Sequence, residues 1–189
     1  VNVYLNSPID MEEDLWDTHN FDWSYMMDHH ITNDVVKLFG GKKLPYELHD
    51  KIWEDKQNIT LQMIGDLDVD ERLVEVLKKL KEEGYILCCA TNSIRKSAKL
   101  QLIRRGFLEH LDFMYSNQDV VNPKPASEIY LKCIIKAGVN TKETIILEDS
   151  DLGREGARQT GAYVLDIEDS DDVTYEKIKN FINEWDYIK

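Results

Sequence analysis

Cysteine is scarce: Cys88, Cys89 and Cys133 are the only three, all within apolar runs and none at metal-ligand spacing. That excludes a cysteine-based metal site and reads as buried, reduced thiols of a cytoplasmic protein. Positive charge is also short. Lys and Arg number 23 against 36 Asp and Glu, a net charge of −13, which argues against broad nucleic-acid or anionic-membrane binding. The acidity is no bar to a phosphate-bearing substrate, because local lysines and a bound cation can reverse the potential inside a cleft. No apolar run reaches membrane length, no signal peptide is recognisable, and no internal repeat or low-complexity segment occurs. What remains is 42% apolar and 31% charged residues over 189 positions, the balance of a soluble domain with a real core, alone or with a small insert.

From about residue 71 the pattern alternates between helix and short apolar strand. Leu73, Val74, Leu77 and Leu80 recur at helical spacing before Gly84, and Tyr85 to Ala90 is a continuous apolar run of the kind covered on both faces. A helix follows over about 94–105, a short strand over 112–115, a helix over 127–137, a strand over 144–147, a helix over 151–160, a strand over 163–167 and a final amphipathic helix through Ile178, Phe181, Ile182 and Trp185. Repeated alternation predicts an α/β fold with a doubly wound, parallel, Rossmann-like sheet. Residues 10–66 show helical periodicity without a clear strand: Leu48, Ile52, Ile59 and Met63 mark one helix over 45–63, and Val35 to Phe39 another. The expected organisation is a possible first core strand at 1–9, a small helical cap at 10–66 and the core at 67–189. The acidic stretch Glu168 to Asp172 reads as a solvated loop, and the scattered histidines as surface or cap packing.

Three short stretches carry chemistry. Thr91-Asn92-Ser93 follows one predicted strand, Asn122-Pro123-Lys124-Pro125 holds a lysine between prolines, and Glu148-Asp149-Ser150 ends another strand. Taken singly, the first is an ordinary helix N-cap and the second an ordinary surface turn. Together, in this order and at the carboxyl rim where such sheets bind ligands, they form a set for a phosphoryl group with a divalent metal. Hydroxyl, amides and ammonium stabilise negative oxygens, and carboxylates hold the cation.

On these residues the chain resembles the haloacid dehalogenase superfamily, most closely its capped β-phosphoglucomutase-like and phosphoglycolate-phosphatase-like branch. Ala90 to Ser93 is similar to the family's second motif, Asn122 to Pro125 to the third, and Leu147 to Ser150 with Gly153 and Gly161-Ala162 to the fourth. The resemblance implies catalytic roles for Thr91 and Lys124 on the phosphoryl group, with substrate contacts from Asn92, Ser93 and Arg95. It implies Mg²⁺ at Asp149, with Glu148 holding the metal or its waters. It further implies hydrolysis of a small phosphorylated metabolite through an aspartyl-phosphate, with neither nucleic acid nor membrane as partner.

The family's first motif, a strand followed by Asp-x-Asp, is not recognisable. Val1 to Leu5 could be that strand, but it runs into neutral Asn6, which cannot be a carboxylate nucleophile. Asp10-Met11-Glu12 has only Ile9 as an apolar lead-in, and Asp66-Leu67-Asp68-Val69-Asp70 lacks a preceding strand and reads as a hinge or helix N-cap. Two accounts follow: a sequence lacking its natural N-terminus, or a degenerate relative with Val1 to Leu5 as its first strand. The alternatives to a phosphohydrolase are an inert binding or regulatory protein on the same scaffold, and a phosphomutase.

Overall fold

Alternate residues of a strand point to opposite sides, and strands buried on both sides therefore feed two separate apolar layers. The computed structural model, which describes residues 2–5 and 46–186, is built on this split. Its five strands are β1 (Asn2–Leu5), β2 (Leu87–Ala90), β3 (Phe113–Tyr115), β4 (Thr144–Glu148) and β5 (Tyr163–Asp166). They form one sheet in the order β3-β2-β1-β4-β5, with every pairing parallel. Around it lie α2 (Glu71–Glu82), α3 (Arg95–Arg104), α4 (Glu128–Ala137), α5 (Asp151–Gln159) and α6 (Tyr175–Asp186). Leu87, Cys89, Ile145 and Leu147 join the layer built with Leu77 and Leu80 of α2, Leu102 of α3 and Ile178 of α6. Cys88, Ala90 and Ile146 join the other, with Ile129, Tyr130 and Cys133 of α4 and Ala157 of α5.

The central position belongs to β1. Val3 is level with Leu87 on one side and Ile145 on the other, so residues of this chain fill the slot whose loss would expose two interior strand edges. The chain divides into two compact units, Val1–Ile9 with Leu67–Lys189, and Asp10–Asp66. Within the second unit, α1 (Tyr46–Gly65) agrees with the predicted helix. Among its described side chains Gln57, Thr60 and Ile64 are buried and Met63 is partly buried, while Ile59 is exposed. The expected helix near Val35 to Phe39 lies outside the described residues, as do Asn6, Asp10 and the side chains of Leu48 and Ile52.

The predicted strand from Tyr85 starts two residues late because the end of α2 consumes them. Gly84 takes φ 85°, and Tyr85 N–H donates to the Leu80 carbonyl at 3.1 Å while Gly84 N–H reaches Lys81 at 3.0 Å. This closing turn needs a left-handed residue, which glycine supplies without strain. At the other end of α2, Asp70 is the N-cap: its Oδ1 accepts from Leu73 N–H at 3.0 Å and its Oδ2 pairs with Arg105 at 2.9 Å. Asp70 therefore starts a helix and does not end a strand.

Candidate functional site

Leu5 of β1 is level with Cys89 and with Leu147, so β2 and β4 end together one residue later, at Ala90 and Glu148. Thr91 and Asp149 leave the sheet at the same rim, two strand spacings or roughly 10 Å apart. The strand order reverses at β1 between them, the position where doubly wound sheets hold their ligands.

Thr91 is 4% exposed. Its N–H donates to the Tyr115 carbonyl at 3.0 Å, and its hydroxyl oxygen accepts from Ser93 N–H at 3.1 Å, which curls the loop back over the end of β2. Asn92 spends both ends of its amide on Lys124: Oδ1 accepts from the lysine N–H at 3.1 Å and Nδ2 donates to its carbonyl at 3.4 Å. Two loops remote in sequence are thus clipped together through a side chain that imitates a strand edge. Ser93 turns its carbonyl to Asn117 N–H at 3.3 Å. Arg95, more than half exposed, forms an ion pair with Asp119.

Lys124 and Glu148 form a buried ion pair, with Nζ to Oε2 at 2.9 Å and side chains 3% and 0% exposed. Tyr130 of α4 donates its hydroxyl to the same Oε2, and its ring centroid lies 5.0 Å from the ammonium. The other oxygen, Oε1, accepts from Ser150 N–H at 3.1 Å and from the Ser150 hydroxyl at 2.8 Å. The same hydroxyl accepts from Gly153 N–H at 3.1 Å and so caps α5. Burial opposes ionisation of Glu148, but the Lys124 charge and the hydrogen bonds from Tyr130, Lys124 and Ser150 outweigh it and hold the carboxyl at about 2. Asp149 shows the reverse balance. Burial and the neighbouring Glu148 charge push it up to about 6.

Tyr130, the residue that shares Glu148 with the lysine, belongs to none of the three motif stretches. The signal was available: it lies within the buried stripe of α4 with Ile129, Cys133 and Ile134. The cysteines are chemically quiet. All three are free and buried, and burial raises Cys88 and takes Cys89 to about 12.

Among the described residues, no group of three or more His, Cys, Asp or Glu is placed to hold a metal ion. The sequence expectation gave both acids to the cation, yet the Glu148 oxygens face Lys124, Tyr130 and Ser150. Asp149, partly exposed at the strand end, fits the demand of Mg²⁺ for one or two carboxylates completed by water and substrate phosphate.

A profile of haloacid dehalogenase-like hydrolases matches residues 26–167. The chain belongs to this family. The match starts beyond β1 and takes in all three motif stretches. Fructose-1-phosphate phosphatase YqaB of Escherichia coli is 27% identical over 72% of this chain and 70% of its own length. A phosphorylated carbohydrates phosphatase of Thermotoga maritima is 26% identical over 59% of this chain, which spans half the length of that relative. In fold, β-phosphoglucomutase of Clostridium difficile superposes with a TM-score of 0.70, covering 98% of both chains at 16% identity. That likeness in fold agrees with the parallel α/β sheet described above.

Proposed function

We propose that this chain carries the phosphoryl-recognition site of a Mg²⁺-dependent phosphohydrolase that takes a small phosphate monoester. The observation that carries the reading is the ammonium of Lys124, buried at the rim, fixed to Glu148 and clipped through Asn92 to the Thr91 loop. In this reading the Thr91 hydroxyl and the Asn92 N–H donate to phosphoryl oxygens, Lys124 neutralises their charge, and Glu148 anchors the lysine. Ser93 and Arg95 stand on the side of the substrate's remaining polar groups, Arg95 by exchanging Asp119 for the ligand. When bound at Asp149, Mg²⁺ would draw charge from the phosphoryl group. The unit Asp10–Asp66 would serve as the cap that excludes water and selects the substrate. The names of the relatives support a phosphorylated metabolite as ligand. The three free, buried cysteines support a cytoplasmic setting, and no helix among the described residues is long and apolar enough to cross a membrane.

Turnover is a separate matter. The residue that follows β1 is Asn6, and an uncharged amide cannot form the aspartyl-phosphate. That position favours, for the sequence as it stands, the second reading: an inert protein that binds phosphorylated ligands. A mutase would need the same missing carboxylate. The 189-residue chain is expected to bind inorganic phosphate with Mg²⁺ and to release no phosphate from p-nitrophenyl phosphate. Absence of phosphate binding by calorimetry overturns the site; substantial Mg²⁺-dependent release overturns the account of Asn6.

The raised Asp149 gives the binding a pH signature. A cation needs this carboxylate deprotonated, so Mg²⁺ affinity is expected to fall as pH drops below about 6. Without the cation the sign is opposite for stability. The contribution of Asp149 is fully present below its ordinary 3.8 and is lost as pH rises through about 6. Calorimetric Mg²⁺ affinities that agree at about pH 5 and about pH 7.5 would contradict Asp149 as the ligand.

A further inference from the structure

We infer that Tyr130 is a positioning residue for Lys124, holding the ammonium where it can meet an incoming anion. The inference rests on the reading of Lys124 as an anion-binding group. Two facts carry it. The Tyr130 hydroxyl and the Lys124 ammonium donate to the same oxygen, Oε2 of Glu148, and the Tyr130 ring lies 5.0 Å from that ammonium. Tyr130 is itself 1% exposed and packed with Ile129, Cys133 and Ala157, so its ring has no freedom to follow the lysine.

The physics is a division of one acceptor between two donors. A buried carboxylate oxygen needs more than one hydrogen bond, and an ammonium that must satisfy it alone is drawn toward it. With Tyr130 supplying one bond, Lys124 reaches Oε2 with a single N–H and keeps two for a ligand. The ring adds an attractive face for the cation, which opposes both retreat along the Glu148 direction and swinging outward. Ser150 makes the contrast clear. It satisfies the opposite oxygen, Oε1, and caps α5, so it supports Glu148 without competing with Lys124.

The test compares Tyr130→Phe, which keeps the ring and removes the hydroxyl, with Ser150→Ala in the full chain. Inorganic phosphate affinity is measured by calorimetry, and the Lys124 side chain is followed by NMR of ¹³C-lysine. Tyr130→Phe is expected to weaken phosphate binding by about 3- to 10-fold and to shift the Lys124 Cε resonance. Ser150→Ala keeps the backbone N–H that holds Oε1, so it is expected to lower stability by loss of the α5 cap while leaving that resonance nearly in place. A merely structural tyrosine would act on stability alone. Wild-type affinity and an unmoved Lys124 signal in Tyr130→Phe would overturn the inference while leaving the anion site intact. Failure of the unsubstituted protein to bind phosphate, or equal binding by Lys124→Met, would overturn the proposed function instead. In that event the inference falls with the reading on which it rests. Should Tyr130→Phe not fold, the unsubstituted protein answers through cross-peaks between the Lys124 Hε protons and the Tyr130 ring. Their persistence at saturating phosphate supports the inference; their loss means that the lysine leaves the ring to reach the anion, and rejects it.

Discussion

Replacing Lys124 with methionine is expected to cost about 3–5 kcal/mol of stability, the range for stripping one partner from a buried ion pair. Methionine matches the length of the lysine stem, so little of the loss would come from packing. The cost arises because Glu148 remains fully buried and loses its cationic partner, keeping the hydrogen bonds from Tyr130 and Ser150. The pH dependence identifies the cause. In the unsubstituted protein the Glu148 contribution is present above its ordinary 4.5 and is lost only as pH falls through about 2. Without the lysine, burial dominates and Glu148 favours its neutral form, so the difference between the two proteins should shrink as pH falls from neutrality through the carboxylate range. Adding Glu148→Gln to Lys124→Met removes the buried charge and should recover part of the loss. A coupling of about 2–3 kcal/mol in the double-mutant cycle, measured by urea unfolding, is the expected result. Additive effects would show that the pair is not a pair in solution.

The fold was legible because its signals are periodic. Leu73, Val74, Leu77 and Leu80 could face a core only from a helix, and the runs ending at Ala90 and Leu147 only from strands covered twice. The boundaries were less so. Tyr85 looks like strand but belongs to the closing turn of α2, because a hydrogen-bonded cap fixes its backbone where composition does not. Among the described side chains of α1, Ile59 is exposed although apolar, while Gln57 and Thr60 are buried; a single apolar residue does not set the phase of a helix.

At the site, the three stretches announced the rim but not how their side chains are spent. Glu148 and Asp149 read as a pair of metal acids because they are adjacent. The two carboxyls do interact, since the Glu148 charge helps to raise Asp149, but they are spent differently. Glu148 shares the face of Ile146, which is the face of Tyr130 and α4, and it is there that its carboxylate meets Lys124. Asp149 follows it at the rim with the opposite charge balance, one acid near 2 and the other near 6. Asn92 is the second example. The resemblance implies a phosphoryl contact through its backbone N–H; what the sequence does not announce is that its side-chain amide joins two loops.

Gly153→Ala is the substitution expected to do most damage for a single added carbon. A Cβ at this position would stand 2.0 Å from Glu148 Cδ and 2.2 and 2.4 Å from its two oxygens. The end of a glutamate side chain ordinarily swings away from such a clash at little cost. Here it cannot, since Lys124, Tyr130 and Ser150 grip both oxygens and the surroundings are closed. Either the carboxylate abandons its partners, leaving buried groups unpaired, or the start of α5 moves off the sheet and breaks the Ser150 cap. On helix propensity alone alanine would gain about 1 kcal/mol over glycine. The clash reverses that sign, and a net loss of about 4 kcal/mol or failure to fold is expected. Gly156→Ala, whose Cβ would meet the Pro125 and Ala126 carbonyl oxygens at 2.9 and 3.0 Å, should be the milder of the two. Urea denaturation ranks them, and phosphate binding follows the rank, because loosening Glu148 loosens Lys124. A folded Gly153→Ala protein within about 1 kcal/mol of the parent would mean that Glu148 has room to leave, and that the grip of Lys124, Tyr130 and Ser150 on it is looser than the geometry implies.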